Sequence, residues 1–354
     1  RIIQIMKSAL FFGVNGQDGS YLSEFLLNKG YTVHGVIRRA SVNNTKERME
    51  ISLHHPNFKL HEGDITDASS IIELVEESQP NEVYNLAAQS HVATSFKQPA
   101  ATWSIIAGGV QNILEVLRKK KPDARFYQAS TSEMFGSVID PDGFQRETTE
   151  LSPNSPYAIS KVASHHAVRL YREAYSLFAC SGILFNHESP RRGEGFVTRK
   201  ISKYVANLKR KARELFHRDH DYTSQYPKPD LWKLYVIEAV MDLGPLKLGN
   251  LDAQRDWGFA GDYIEAMWLM LQQDKPEDFV IATGETNSVR TLLDHAFKHI
   301  GVDDWSSFVV IDPAFIRPYE VPVLRGDATK AREKLGWKPR VNFEQLVKMM
   351  VDND

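Results

Sequence analysis

Cysteine is almost missing from this chain. Of 354 residues only Cys180 carries a thiol, so no internal disulfide can form and nothing points to an oxidising compartment. Its apolar setting, Phe178-Ala179-Cys180, predicts a buried, inert thiol. Long hydrophobic runs are missing too. No stretch suffices to span a bilayer and no signal-peptide core opens the chain, so a cytoplasmic protein with no membrane partner is expected. Residues Arg1 to Ile5 read as a remnant ahead of the first Met. Net charge is small: 43 Lys and Arg against 45 Asp and Glu leave −2, with no overall bias toward nucleic acid. The pairs His54-His55 and His165-His166 lack carboxylate or cysteine partners at ligand spacing, so no metal is expected. Lys119-Lys120-Lys121 closes a helix, where cations complement the dipole.

The first 190 residues alternate short apolar runs with amphipathic patterns. Strands are expected at Lys7–Val14, Tyr31–Ile37, Phe58–Gly63, Glu82–Ala88, Arg125–Ser130 and Leu177–Phe185. Helices fall between them at Gln17–Lys29, Ala68–Ser78, Val110–Lys120 and onward from Tyr157. Strands separated by crossover helices predict a Rossmann-like α/β fold, a doubly wound parallel sheet. After Pro190 helices dominate (Val197–Phe216, Asp262–Gln273, Val289–Ile300, Phe343–Val351), with a short strand at Leu246–Gly249 and a polar loop at His217–Asp230. Residues 1–190 therefore read as a cofactor domain, and 191–354 as a smaller, mostly helical substrate domain that returns some strands to the first lobe.

Gly13, Asn15, Gly16, Gln17, Asp18 and Gly19 lie between the first strand and the first helix. The spacing G-x-x-G-x-x-G lets the backbone turn tightly against a pyrophosphate, with the helix N-terminus supplying free N–H groups. NAD enzymes of this architecture usually carry an acidic residue at the end of the second strand. Here Arg38-Arg39 stand there, and guanidinium groups suit a 2′-phosphate, which favours NADP. Asp64 and Ile65 end the third strand, where an adenine would lie. Leu86, Ala87, Ala88, Gln89 and Ser90 end the fourth, near the nicotinamide ribose.

Tyr157 and Lys161 are four residues apart, on one face of a helix. An ammonium beside the phenol is expected to lower its pKa toward the range of a general base. The fifth strand ends in Thr131, Ser132 and Glu133. Thr131 is placed to hydrogen-bond the oxygen that Tyr157 deprotonates. Glu133 adds a carboxylate that can take a proton from carbon, which elimination of water requires and a simple reductase does not. The plainer alternative is that Ser132-Glu133 caps the following turn.

Together with the glycine turn and the Tyr-Lys pair, the runs Leu184–Glu194, Phe196–Lys200, Gly249–Trp257, Pro276–Gly284, Arg317–Glu320 and Gly326–Lys330 closely resemble the GDP-mannose 4,6-dehydratases, a branch of the extended short-chain dehydrogenases. Related dTDP-glucose dehydratases usually have Asp where this chain has Ser132. The resemblance implies that Tyr157, helped by Lys161, removes the O4 proton of GDP-mannose while its C4 hydride passes to NADP. Glu133 then removes the C5 proton, the C6 hydroxyl leaves as water, and hydride returns to C6. It further implies that Ser90, Asn186, Val197, Lys200, Arg255, Arg317 and Glu320 hold GDP-mannose beside Thr131 and Glu133. Arg192 then borders both sugar nucleotide and cofactor, and His187 sits near the nicotinamide ribose of the cofactor. Family members assemble as homodimers or homotetramers, and the loop Arg38 to Asn44 can reach a neighbour's cofactor.

Two features depart from the family pattern. After Pro99 a tyrosine is usual, and this chain has Ala100-Ala101-Thr102-Trp103-Ser104. An apparent insertion near 212–242 reads either as a surface excursion or as a lid or subunit contact. Two alternatives to dehydration stay open: a GDP-4-keto-6-deoxymannose reductase or epimerase, which does not need Glu133, and an inactive NADP sensor, which typically lacks the Tyr or the Lys.

Overall fold

The computed structural model describes residues 6–38, 47–220 and 229–354, without the side chains of Pro229 and Asp230. Six strands build the first lobe in chain order: β1 (Ser8–Phe12), β2 (Thr32–Ile37), β3 (Phe58–Glu62), β4 (Glu82–Asn85), β5 (Arg125–Thr131) and β6 (Ala179–Leu184). The strand Phe279–Ile281, from much later in the chain, joins them in a seven-stranded sheet. Its order is Phe279–Ile281, β6, β5, β4, β1, β2, β3, and every pairing is parallel.

Local sequence explains the burial of this sheet. Ala9, Leu10, Phe11 and Phe12 are all 0–1% exposed, an unbroken apolar run that suits a strand covered on both faces. One face packs under the helices Gln17–Asn28 and Ala260–Met270, through Leu22, Leu26, Met267 and Met270. The other packs under Ala68–Ser78, Gly109–Lys120 and Pro156–Tyr175, through Ile71, Ile113, Leu117 and Val168. Full burial of each such side chain contributes roughly 1.5–3 kcal/mol. The chain leaves β1 in one direction toward β2 and β3, and in the other toward β4 and β5. That reversal opens a crevice at the carboxyl ends of the strands.

A second core gathers Val197–Asp219, Pro229–Leu243, Val289–His299 and Phe343–Asn353. The first helix runs three residues past the expected end at Phe216, into the expected His217–Asp230 loop. The cause is tertiary: Phe216 is 4% exposed and meets Tyr235 edge-on at 5.6 Å, while the Tyr235 hydroxyl donates to Asp219 at 3.2 Å. Two short helices, Val92–Lys97 and Pro99–Trp103, precede a π-helical turn at Ser104–Gly108. None of the three is among the helices expected from the apolar periodicity. Among the described residues, no helix is long and apolar enough to cross a membrane.

Candidate active site

A cavity of about 830 Å³ runs along the carboxyl ends of the strands and between the two cores. Its near end is the turn after β1. Gly13 has φ +87°, and a Cβ there would stand 2.9 Å from Ala87 N. A Cβ on Gly19 would stand 2.5 Å from Gly13 O. Only glycine fits either position. Gly16 caps Gln17–Asn28 without any side-chain hydrogen bond, so the N–H groups of the first turn stay open to an anion.

Gly13, Asn15, Gly16, Gln17, Asp18 and Gly19 all line the cavity, as do Arg38, Asp64, Ile65, Leu86, Ala87, Ala88 and Ser90. Gln89 does not. Its Oε1 accepts from His91 N at 2.6 Å and its amide donates to Thr102 Oγ1 at 3.3 Å, so it fastens the strand end rather than facing a ligand. Arg39, and the loop beyond it to Asn44, lie outside the described residues. The tight turn and the open helix end fit the pyrophosphate of a nicotinamide dinucleotide.

His187 ties this end to the segment that follows β6. Its Nε2 lies 2.7 Å from Asp18 Oδ2, and its Nδ1 is 2.8 Å from Phe185 O. Burial opposes a proton on the ring, but the Asp18 carboxylate outweighs it and raises the His187 pKa. Gln17 completes the joint, donating to His187 O at 3.0 Å and accepting from Ser189 Oγ at 2.7 Å.

The chemical groups stand midway. Thr131 ends β5, and its hydroxyl accepts from Glu133 N at 3.3 Å, so the cap of the turn Ser132–Phe135 is Thr131 and the Glu133 carboxylate is left for the cavity. Tyr157, 8% exposed, begins the helix Pro156–Tyr175, which Ser155 caps through Ala158 N at 3.0 Å. Burial pushes its phenol up to about 12, against a hydrogen bond with Thr131. The sequence places Lys161 beside this phenol as its pKa-lowering partner. In the structure Lys161 Nζ is 5.9 Å from the ring centroid and donates to Ala129 O at 2.6 Å. Burial brings the lysine itself down to about 8. A carbonyl on the adjacent strand outcompetes a phenol for a buried ammonium that needs acceptors.

Beyond them the wall is cationic. Asn186, His187, Arg192, Val197, Lys200, Arg255, Arg317 and Glu320 line the cavity together with Thr131, Ser132, Glu133, Tyr157 and Lys161. The helix Val197–Asp219 starts at Phe196 without a side-chain cap, which leaves a second set of N–H groups at the wall. Arg192 lies over the Phe196 ring at 3.6 Å and pairs with Glu188 at 3.0 Å. Lys200 lies over Phe315 at 3.6 Å, and burial lowers its pKa.

Arg255 is already committed. It donates to Val321 O and to Glu320 Oε1, both at 2.8 Å, and thereby sets the Glu320 carboxylate. Its neighbour Asp256 is buried and accepts from Thr283 N and Gly284 N at 2.8 Å. Burial lifts Asp256 to about 6 despite these bonds.

Sequence reasoning missed His91, Phe196 and Phe315, which also line the cavity. His91 follows Ser90 directly, and its position at a strand end was signal enough. Phe315 comes from a distant loop with no local mark. Ala101 and the described residues of the 212–242 stretch do not line the cavity. That stretch packs into the second core instead, through Ala212, Leu215, Val236 and Ala239. Among the described residues, no cluster of His, Cys, Asp and Glu could hold a metal ion.

The family model described as GDP-mannose 4,6 dehydratase matches residues 10–227 and 232–350. GDP-mannose 4,6 dehydratase 2 of Arabidopsis thaliana is 50% identical over 362 residues, covering 100% of this chain and 88% of the relative. The Homo sapiens GDP-mannose 4,6 dehydratase is 45% identical over 370 residues, covering 98% and 91%. Among solved structures, a dTDP-glucose 4,6-dehydratase from Streptomyces venezuelae with NAD bound superposes with a TM-score of 0.78 at 24% identity, covering 98% of this chain and 96% of that one. A match to nearly the whole length and half-identical relatives leave one placement: the chain belongs to the GDP-mannose 4,6-dehydratase family.

Proposed function

We propose that this chain is an NADP-dependent hydro-lyase that converts GDP-mannose to GDP-4-keto-6-deoxymannose. The observation that carries the reading is that Glu133, Thr131, Tyr157 and Lys161 line the same cavity as Arg192, Lys200 and Arg317. Family membership supports a nucleotide-sugar substrate and a nicotinamide cofactor. Residues 1–190 hold the cofactor and 191–354 the sugar nucleotide in this reading, in a cytoplasmic homodimer or homotetramer.

When bound, NADP supplies a hydride acceptor for C4 and later a donor for C6, with no net consumption. The remaining steps fall to this chain's own groups. Tyr157 takes the O4 proton, and Thr131 shares that oxygen. The Lys161 ammonium supplies positive field along the β5 end while a phenolate forms. Once C4 is a ketone the C5 proton is acidic, and Glu133 removes it. Protonated Glu133 then delivers that proton to the departing C6 hydroxyl, which leaves as water, and C5 takes a solvent-derived proton when hydride reaches C6. Arg192, Lys200 and Arg317 offer fixed cations and forked donors to a diphosphate. Glu320, oriented by Arg255, offers an acceptor to hydroxyl groups of the sugar nucleotide.

A reductase or epimerase of the same product would have no use for an eliminating carboxylate at the Glu133 position. The test is incubation of purified protein with GDP-mannose and a catalytic amount of NADP⁺, followed by mass spectrometry. A product lighter by one water, with no build-up of NADPH, supports the reading. Unchanged GDP-mannose with folded protein contradicts it.

A further inference from the structure

One histidine of the His165-His166 pair is built into the catalytic frame. Tyr157, Lys161 and His165 stand four residues apart, on one stripe of the helix Pro156–Tyr175. Each reaches a different residue at the end of β5. The Tyr157 phenol meets the Thr131 hydroxyl. Lys161 Nζ donates to Ala129 O at 2.6 Å. His165 Nδ1 lies 3.2 Å from Ser130 Oγ. Three successive strand residues are thus stitched to three successive turns of one helix.

The His165 ring is fixed from its other side as well. Its Nε2 faces Asp278 Oδ2 at 3.9 Å. Asp278 is itself clamped by two Arg172 bonds of 2.8 Å and by Ser181 N at 2.8 Å. Ser130 and His165 are 4% and 9% exposed, so neither contact is exchanged freely for water. Burial lowers the His165 pKa against the pull of Asp278. A neutral ring presents one acceptor and one donor. The network assigns them: Nδ1 accepts from the Ser130 hydroxyl, and Nε2–H faces the carboxylate.

His165 does not border the active-site cavity. It borders a separate cavity of about 310 Å³, with Arg169, Arg172, Glu277, Asp278 and Lys330. It therefore cannot touch substrate, and whatever it contributes passes through Ser130, which does line the active site. Ser130 is followed directly by Thr131, Ser132 and Glu133.

We infer that His165 is a positioning residue for the dehydration. Through Ser130 it holds the strand end that carries Thr131 and Glu133 in register with Tyr157 and Lys161. The inference rests on the dehydratase reading, because Glu133 must reach C5–H while Thr131 and Tyr157 share O4. A misplacement of about 1 Å at such a site costs on the order of 10²-fold in rate.

The test compares His165→Leu, which removes both ring nitrogens, with His165→Asn, whose amide reaches the place of Nδ1. Steady-state kinetics on GDP-mannose should show kcat of the Leu variant lowered by roughly 10- to 100-fold, with KM nearly unchanged, and recovery of most of that loss in the Asn variant. Crystal structures of both variants give a reading that does not depend on turnover. The Ser130–Glu133 segment should shift against Tyr157 in the Leu variant and stay in place in the Asn variant. A Leu variant with unchanged kcat and an unmoved strand end overturns the inference. So do Leu and Asn variants that lose rate, substrate affinity and melting temperature alike, since that pattern marks a purely structural residue. A shifted segment in a chain whose wild type leaves GDP-mannose untouched would uphold the positioning and reject the reaction.

Discussion

Arg317 Nη1 stands 3.6 Å from Glu133 Oε1 and 3.8 Å from Glu320 Oε1, so one guanidinium on the cavity wall serves two carboxylates. Neither contact is short enough to be a hydrogen bond. A diphosphate oxygen offers the forked, charge-assisted geometry that both carboxylates fail to provide. Arg317→Gln should therefore raise KM for GDP-mannose by roughly 10- to 100-fold, the equivalent of a charged hydrogen bond of about 1.5–3 kcal/mol. Titration calorimetry with GDP alone checks that the loss lies in diphosphate binding.

Glu133 separates elimination from oxidation. In Glu133→Gln the C5 proton has no acceptor, so release of water should fall by about 10²–10⁴-fold. Removal of the O4 proton by Tyr157 does not need the carboxylate. Mixing the variant with GDP-mannose and NADP⁺ should leave reduced cofactor on the enzyme, read by its near-ultraviolet absorbance. Wild-type rates of water release in this variant would remove Glu133 from the mechanism.

Arg38 directly follows β2 on the cavity wall, where the sequence Arg38-Arg39-Ala40 carries no acidic residue for a free ribose hydroxyl. Arg38→Ala should lower kcat/KM for NADP⁺ by roughly 10- to 100-fold, as expected when one charge-assisted bond of about 1.5–3 kcal/mol is lost. The value for NAD⁺ should change little. Equal losses with both cofactors would mean that Arg38 does not read the 2′-phosphate.

Lys161 gives a pH-dependent stability of definite sign. Burial holds its folded pKa at about 8, below the ordinary lysine value of about 10.4. Between these values the unfolded chain binds more protons than the folded one, so stability rises with pH across that window. Lys161→Met removes the titration. Denaturant unfolding of the variant should lose that rise, and at neutral pH the variant should be more stable than wild type by roughly 1–3 kcal/mol.

The cofactor end and the Tyr-Lys helix were legible because their signals are local. Glycines at fixed spacing, a strand before them and a helix after them suffice to place Gly13 to Gly19. Tyr157 and Lys161 are neighbours on any helix. What local spacing could not show was where Lys161 would point. The Ala129 carbonyl that captures it comes from another element, and the expected lowering of the phenol pKa gives way to burial. Arg317 and Glu320 were recognisable only through resemblance, since the chain brings them to Glu133 across most of the second lobe. The helix end at Asp219 was missed for a similar reason. Phe216 and Tyr235 stabilise it through space, where polar local sequence argued for a loop. Gln89 shows that a residue at a strand's carboxyl end can serve the backbone next to it, here through His91 N and Thr102.

The central claim is internal hydride transfer coupled to loss of water in one cavity. It is tested most directly with GDP-mannose deuterated at C4, a substoichiometric amount of NADP⁺ and NMR of the product. The expected result is GDP-4-keto-6-deoxymannose with the deuterium on C6 and no net NADPH. Deuterium left at C4, or a C6 that carries only solvent hydrogen, would contradict it.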